Sequence, residues 1–416
     1  MSQPNIVWIV TTQWRASATG YAGDVNALTP WLDGLASEAV NYTQAVTPHP
    51  LGPQARAALL TGQLCPGNGV SGYWDALPKE ARTVAHALGD RGYATGYFGK
   101  WHLAERDRSA PFVGEAHARM IVPPDRRGGF EFWEGFEGGF LLNDPWLHGT
   151  RLEQPKHFKG YQSDLLAERA GAWCKELGAK RVATGQPYFC VVSLVAPHPP
   201  YHAPAPHVRE VKPAEIKLRA NVPVGGPVER QAREELAGYY AHIEATDRAI
   251  GKLIAEVDLS DTIIVFTSVH GDMHGSQGLF RKAWPYEESI RVPLLIRGPA
   301  FAKTTAGRLQ TENRGQIDNS PVSLVDLSHM AVAWAEGREW HCRRDSAPIS
   351  MPAATEIPLQ CPVAWRGFRS AQHKLVLNAD GSPWLYFDLE RDPLERKNLA
   401  EDPARAGEIA DLMKLM

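Results

Sequence analysis

Three stretches of this chain are almost wholly apolar, and each stops at a polar turn. They are residues 6–10 ahead of Thr11, Thr12 and Gln13; 188–194 ahead of a Pro- and His-bearing segment; and 261–267 ahead of Ser268, Val269 and His270. A strand that is apolar on both faces must be covered on both, which is the condition of a central strand in an α/β sheet. Ligands of such sheets bind beyond the carboxyl ends of the strands. Thr12 and Gln13 are therefore candidate site residues, although taken alone the pair better suits a plain strand cap, and only the motifs further along the chain reverse that.

The intervening segments fit that architecture. Residues 29–40 read as an amphipathic helix with Thr29 at its N-cap and Pro30 in its first turn. Residues 42–46 read as a strand, followed by a loop holding Gly52 and a helix opening at Arg56, whose positive end favours anions. A helix is expected at 83–88 and a strand at 93–98, beyond which Lys100 and His102 project into one region. Residues 109–149 are rich in Gly, Pro and aromatics and suggest a long, irregular insertion facing the substrate. Helices follow at 162–177 and 229–257, with a Pro-rich loop at 203–228 and a strand at 291–297. Beyond residue 335 the texture changes: two short strands flank Asp380-Gly381, and a terminal helix closes the chain. The expectation is a large α/β domain, 1–335, and a small C-terminal α+β subdomain, 336–416.

Composition narrows the function class. A net charge of −3 over 416 residues gives no reason to expect nucleic acid or a membrane surface as partner. The five cysteines (Cys65, Cys174, Cys190, Cys342 and Cys361) are scattered, without C-x-x-C spacing, which argues against a disulfide framework and a zinc site. No segment reads as a signal peptide or a membrane span, so a soluble, cytoplasmic protein is expected.

The most specific local pattern is Arg56-Ala57-Ala58-Leu59-Leu60-Thr61-Gly62, with Gly52 four residues before the Arg. Together with Thr11-Thr12-Gln13, Gly99-Lys100-Trp101-His102, Pro197-His198-Pro199-Pro200, Ser268-Val269-His270-Gly271 and Gly278-Leu279-Phe280-Arg281-Lys282, in that order, it resembles the sulfatase branch of the alkaline-phosphatase superfamily. The resemblance covers nearly the whole chain. It implies a mixed central sheet flanked by helices and a small C-terminal antiparallel sheet. It also implies a divalent metal held by carboxylates and a formylglycine made from a Cys or Ser. Here the nucleophile's position is Gly52, and two ligand Asp positions are Thr12 and Val269. Gln13 and His270 remain, two neutral groups unsuited to Ca²⁺ or Mg²⁺, which take several charged oxygen ligands. Cys65 lies in the wrong context to replace the nucleophile. The positions that grip sulfate in the family are retained as Arg56, Lys100, His102, His198, His270 and Lys282. The expectation is a cationic pocket without metal or cofactor.

Three functions fit such a pocket. One is a relic that binds sulfated ligands. Another is a hydrolase using water activated by His270 or His274, the latter having no counterpart in the family pattern. The third, preferred, is expulsion of sulfate by C–O cleavage as an amine of the same substrate closes a ring, with a neutral His or Thr12 taking the proton. This is similar in site logic to sulfatase-like proteins that form aziridines in natural-product biosynthesis. The partner is then a sulfated small molecule, and whether a carrier protein presents it is left open.

Overall fold

The structure, a computed structural model, describes residues 3–298, 315–338, 340 and 344–414; Cys342 lies outside them. The strands in chain order are β1 (Asn5–Thr11), β2 (Val40–Tyr42), β3 (Ala45–Val46), β4 (Ala94–Lys100), β5 (Phe132–Phe136), β6 (Trp146–Gly149), β7 (Leu152–His157), β8 (Tyr188–Ser193), β9 (Thr262–Ser268), β10 (Leu294–Arg297), β11 (Gln316–Asp318) and β12 (Val322–Ser323). A separate group follows: β13 (Ser346–Met351), β14 (Trp365–Ser370), β15 (His373–Asn378) and β16 (Pro383–Asp388). The helices are α1 (Pro30–Ala36), α2 (Gly52–Thr61), α3 (Val84–Gly89), α4 (Glu115–Ala118), α5 (Gln162–Thr184), α6 (Pro227–Ala255), α7 (Glu287–Ile290), α8 (Asp326–Ala335) and α9 (Ala406–Met413).

Ten strands form one mixed sheet in the order β11-β2-β10-β9-β1-β8-β4-β5-β6-β7. The three apolar runs are its middle. β1 lies parallel between β8 and β9, and β4 continues parallel on the far side of β8. Alternate side chains of β1 feed two cores. Val7 and Ile9 pack among residues of α1, α5 and α6; Ile6, Trp8 and Val10 pack among residues of α2, α3 and α8. Burying both faces explains the unbroken apolarity. β13 to β16 form a four-stranded antiparallel sheet in sequence order. No helix among the described residues is long and apolar enough to cross a membrane.

Several expectations need correction. The insertion at 109–149 is not irregular throughout: β5 and β6 lie within it and extend the main sheet, with β7 beyond them. Residues 42–46 are not one strand; β2 ends at Tyr42 and β3 begins at Ala45. Gly52 is not in a loop but is the first residue of α2, because Pro53 suits a first helical turn. Thr29 makes no side-chain cap on α1; the Asp247 carboxylate accepts from Trp31 N and Leu32 N at 3.1 and 2.9 Å instead.

Candidate active site

Parallel register brings the carboxyl ends of β4, β8, β1 and β9 to one edge, with Gly99 beside Ser193 and Thr11 beside Ser268. Lys100 ends β4 and is 1% exposed; its Nζ lies 3.9 Å from the centroid of the Phe140 ring. His102 follows with φ 62° and packs edge-on to the same ring. His198, beyond β8, stacks on the ring at 4.2 Å between centroids. Phe140 thus joins three of the expected site residues, and nothing but aromatic richness marked it in the sequence.

The hydrogen bonds fix two tautomers. The His198 Nδ1–H donates to Pro199 O at 2.7 Å, so its Nε2 lone pair meets the Lys282 ammonium at 3.3 Å. The His270 Nδ1–H donates to Gly271 O at 3.0 Å, and its Nε2 is buried without a partner. The Lys282 ammonium also donates to Gln13 Oε1. The amide nitrogen of Gln13 donates to the Asp272 carboxylate and, at 3.2 Å, to the Tyr201 hydroxyl. Asp272 and Tyr201 were not among the expected site residues.

Arg56 and Thr12 engage each other. One terminal nitrogen of Arg56 donates to Thr12 Oγ1 at 2.9 Å, and the other to Ser193 Oγ at 2.6 Å and Lys100 O at 3.2 Å. Only Arg56 Nε is without a partner. The Thr12 hydroxyl in turn donates to Leu194 O at 3.0 Å, so both sides of the hydroxyl are occupied. His274 is fully buried rather than superficial. Its ring packs against Tyr201 and Tyr239, and its backbone N–H donates to Asp272 Oδ1 at 3.1 Å. Cys65 is buried with its thiol pushed up to about 12 by desolvation, the condition of an inert thiol.

Burial of like charges sets the protonation states. Desolvation, then Arg56, Lys282 and Arg106, hold the Lys100 ammonium well below its usual range. Desolvation brings Lys282 down to about 7, against the opposing pull of Asp272. His102, His198 and His270 are each held well below 6.5, first by burial and then by neighbouring cations, so all three rings are neutral. Burial alone would raise the Asp272 carboxyl, but His274, Arg281, the Tyr201 hydrogen bond and Lys282 outweigh it and keep the anion.

The sulfatase family model matches residues 4–337. The chain belongs to the sulfatase family. Among its relatives, an ulvan-active sulfatase of Formosa agariphila is 34% identical, over 97% of this chain and 78% of that protein. An arylsulfatase of Clostridium perfringens is 26% identical, over the whole of this chain and 94% of that protein. The crystal structure of a phosphonate monoester hydrolase from Agrobacterium radiobacter shares the fold with a TM-score of 0.72 at 21% identity, covering 99% of this chain and 94% of that one.

Two groups expected of a sulfatase do not fit this member. A Cβ at Gly52 would stand 2.7 Å from His102 Nδ1 and 3.0 Å from Cε1, so the imidazole fills the space a nucleophile's side chain needs. A divalent ion finds no carboxylate shell. Thr12 is held by Arg56, Val269 is apolar and fully buried, and the Gln13 oxygen faces an ammonium. Among the described residues no cluster of three or more His, Cys, Asp or Glu is arranged to hold a metal.

Proposed function

We propose that this sulfatase-family chain processes a sulfate ester without hydrolysing it. Sulfate leaves by C–O cleavage while an amine of the same substrate attacks that carbon and closes a small, aziridine-type ring. The observation that carries this reading is the His102 ring standing against Gly52, which leaves no room for a nucleophilic side chain at position 52.

The amine lone pair forms the C–N bond as the C–O bond breaks, and the bonding electrons depart with the ester oxygen. The sulfate group passes from one negative charge to two. Lys100 and Lys282 place N–H donors where that increment falls, and donors aimed at developing charge form a large catalytic term. The ring nitrogen then gives up its proton. His270 suits that role: its Nε2 carries a lone pair, has no partner and is neutral. Thr12 is less suited, because its hydroxyl is engaged on both sides. Holding amine and carbon in line supplies the effective-molarity gain that replaces an external nucleophile.

Backbone strain supports a working site rather than a decayed one. Gln13, His102, Phe140, His274, Arg281 and Ala283 all have φ between 45° and 68° without being glycine. Such conformations persist only where the surroundings enforce them, and they gather at functional sites. The substrate we propose is a sulfated small molecule of natural-product biosynthesis, free or presented by a carrier protein, processed in the cytoplasm.

The test is an alkyl sulfate ester with a neighbouring amine, incubated with the enzyme in heavy-oxygen water. Unlabelled sulfate with a cyclised product is expected. Label in the sulfate means hydrolysis at sulfur, and no turnover of any amino-alkyl sulfate offered means a pocket that only binds.

A further inference from the structure

We infer that a second cavity, between residues 15–26 and 217–219, binds a phosphate ion at a site separate from the pocket beyond the strand ends. Its volume is about 200 Å³, and its lining includes Arg15, Asp24, Asn26, Lys217, Arg219 and Tyr240. None of the lining residues belongs to the pocket described above, and the inference does not depend on how a sulfate ester is processed.

Charge points to an anion. The lining holds three cations, Arg15, Lys217 and Arg219, against one carboxylate, Asp24, a surplus of two in a chain whose net charge is −3. Asp24 is already engaged by its neighbours: Oδ2 accepts from the Tyr240 hydroxyl, and Oδ1 accepts from Asn26 N and Nδ2 at 3.0 and 2.9 Å. The cations are less fully matched. Arg219 engages only its Nε, which donates to Glu288 Oε1 at 3.0 Å, and Lys217 Nζ has no partner among the described residues. Arg15 is 3% exposed; one terminal nitrogen donates to the Tyr240 hydroxyl at 2.9 Å, and its Nε is buried without a partner. A desolvated guanidinium with donors to spare favours an anion that accepts charge-assisted hydrogen bonds.

The walls of the cavity are fastened to each other. The Asn26 side chain accepts from Lys217 N at 2.8 Å and donates to Lys217 O at 3.0 Å, which ties the 217–219 segment to the loop. The Arg209 guanidinium donates to Asn26 O, and Arg15 N donates to the Tyr239 hydroxyl at 3.0 Å. Groups set in advance lose little freedom when a ligand arrives. Size and chemistry then select the ion. Drug-sized ligands fill roughly 300–1,000 Å³, so this smaller cavity suits a compact ion. Phosphate at neutral pH is a dianion that keeps one P–OH group. That group can donate to the Asp24 carboxylate or the Tyr240 hydroxyl while the other oxygens face the cations. Sulfate only accepts, and the lining carboxylate repels it.

The experiment uses the full chain, with inorganic phosphate and inorganic sulfate as probes. Lys217 is exposed, so Lys217→Glu leaves the fold intact while it takes the surplus charge of the lining from two to zero. In titration calorimetry the variant should bind one phosphate fewer per chain than the wild type, and the two proteins should differ less for sulfate. Crystals soaked in arsenate, a heavier analogue of phosphate, should show an anomalous peak among Arg15, Lys217 and Arg219 that crystals of Lys217→Glu lack. Equal phosphate stoichiometry in the two proteins, or an equal loss for both anions, would overturn the inference. A peak in the crystal without a difference in solution means an adventitious ion only and overturns it as well. Both proteins keep the same strand-end pocket and neither measurement follows turnover, so a failed heavy-oxygen experiment leaves the result standing.

Discussion

The contact between Gly52 and His102 is where a single methyl group should tell most. Gly52→Ala places a carbon 2.7 Å from the imidazole, and overpacking of this kind costs roughly 1–3 kcal/mol. Adding His102→Ala should recover most of that loss, a coupling that a double-mutant cycle in urea measures directly. A second residue-scale prediction concerns pH. The folded-state value of Lys282 is about 7, below the ordinary 10.5, so between those values the unfolded chain binds more protons than the folded one. Its contribution to the stability of the free protein therefore rises as pH climbs from 7 to 10.5. Sulfate affinity should move the other way, falling above pH 7 as the ammonium is lost, and calorimetric titration across that range checks the sign. At this scale the sequence was informative where a site residue ends a strand, as with Lys100, or follows one closely, as with Gln13, His198 and His270. It was uninformative for Asp272, Tyr201 and Phe140. Their roles come from partners far off in the chain, such as the approach of Tyr201 to Asp272, that no local pattern records.

At the scale of elements, Arg56 is the joint. From the second turn of α2 it reaches Lys100 at the end of β4, Ser193 at the end of β8 and Thr12 just beyond β1. Arg56→Met should destabilise the protein by about 3 kcal/mol, since three buried acceptors lose a charged donor. Guanidinium unfolding gives the number, and Arg56→Lys should recover only part of it because an ammonium cannot span the same fork. The central strands were legible because burial of both faces leaves a continuous apolar record. β5 and β6 were not, because they belong to the half of the sheet next to its edge and their Gly- and aromatic-rich sequence reads as coil. The start of α2 was missed for a related reason. Gly52-Pro53 reads as a turn, yet a first helical turn accepts both residues.

Across the whole molecule, the small sheet is tied to α7 and to the segment that carries Lys282. Lys374 of β15 is fully buried and ion-paired with Glu287, the first residue of α7, at 3.3 Å, and with Glu395. Arg369 of β14 reaches the same Glu287 at 3.1 Å, and Glu287 N donates to Glu395 Oε2 at 2.8 Å. The Trp365 indole of β14 donates to the carbonyl of Ala283, next to Lys282. The segment that presents Lys282 is thus anchored to residues the family model leaves out, since the model ends at 337. Replacing Lys374 with Met removes one cation from a buried cluster and takes from Glu395 its ion-pair partner, while Glu287 keeps Arg369. Breaking such a cluster costs about 3–5 kcal/mol, far more than the loss of an exposed pair. The consequence for function follows from the chain path: if β13–β16 loosen, Ala283 loses its indole partner and Lys282 its fixed position. Lys374→Met should therefore weaken sulfate binding although residue 374 touches nothing in the pocket. Lys175→Met, which removes an exposed pair with Glu256, should change neither stability nor binding. Unfolding of both variants with and without sulfate makes the comparison, and equal sulfate-induced stabilisation in the two would show that the small sheet does not position the lysine.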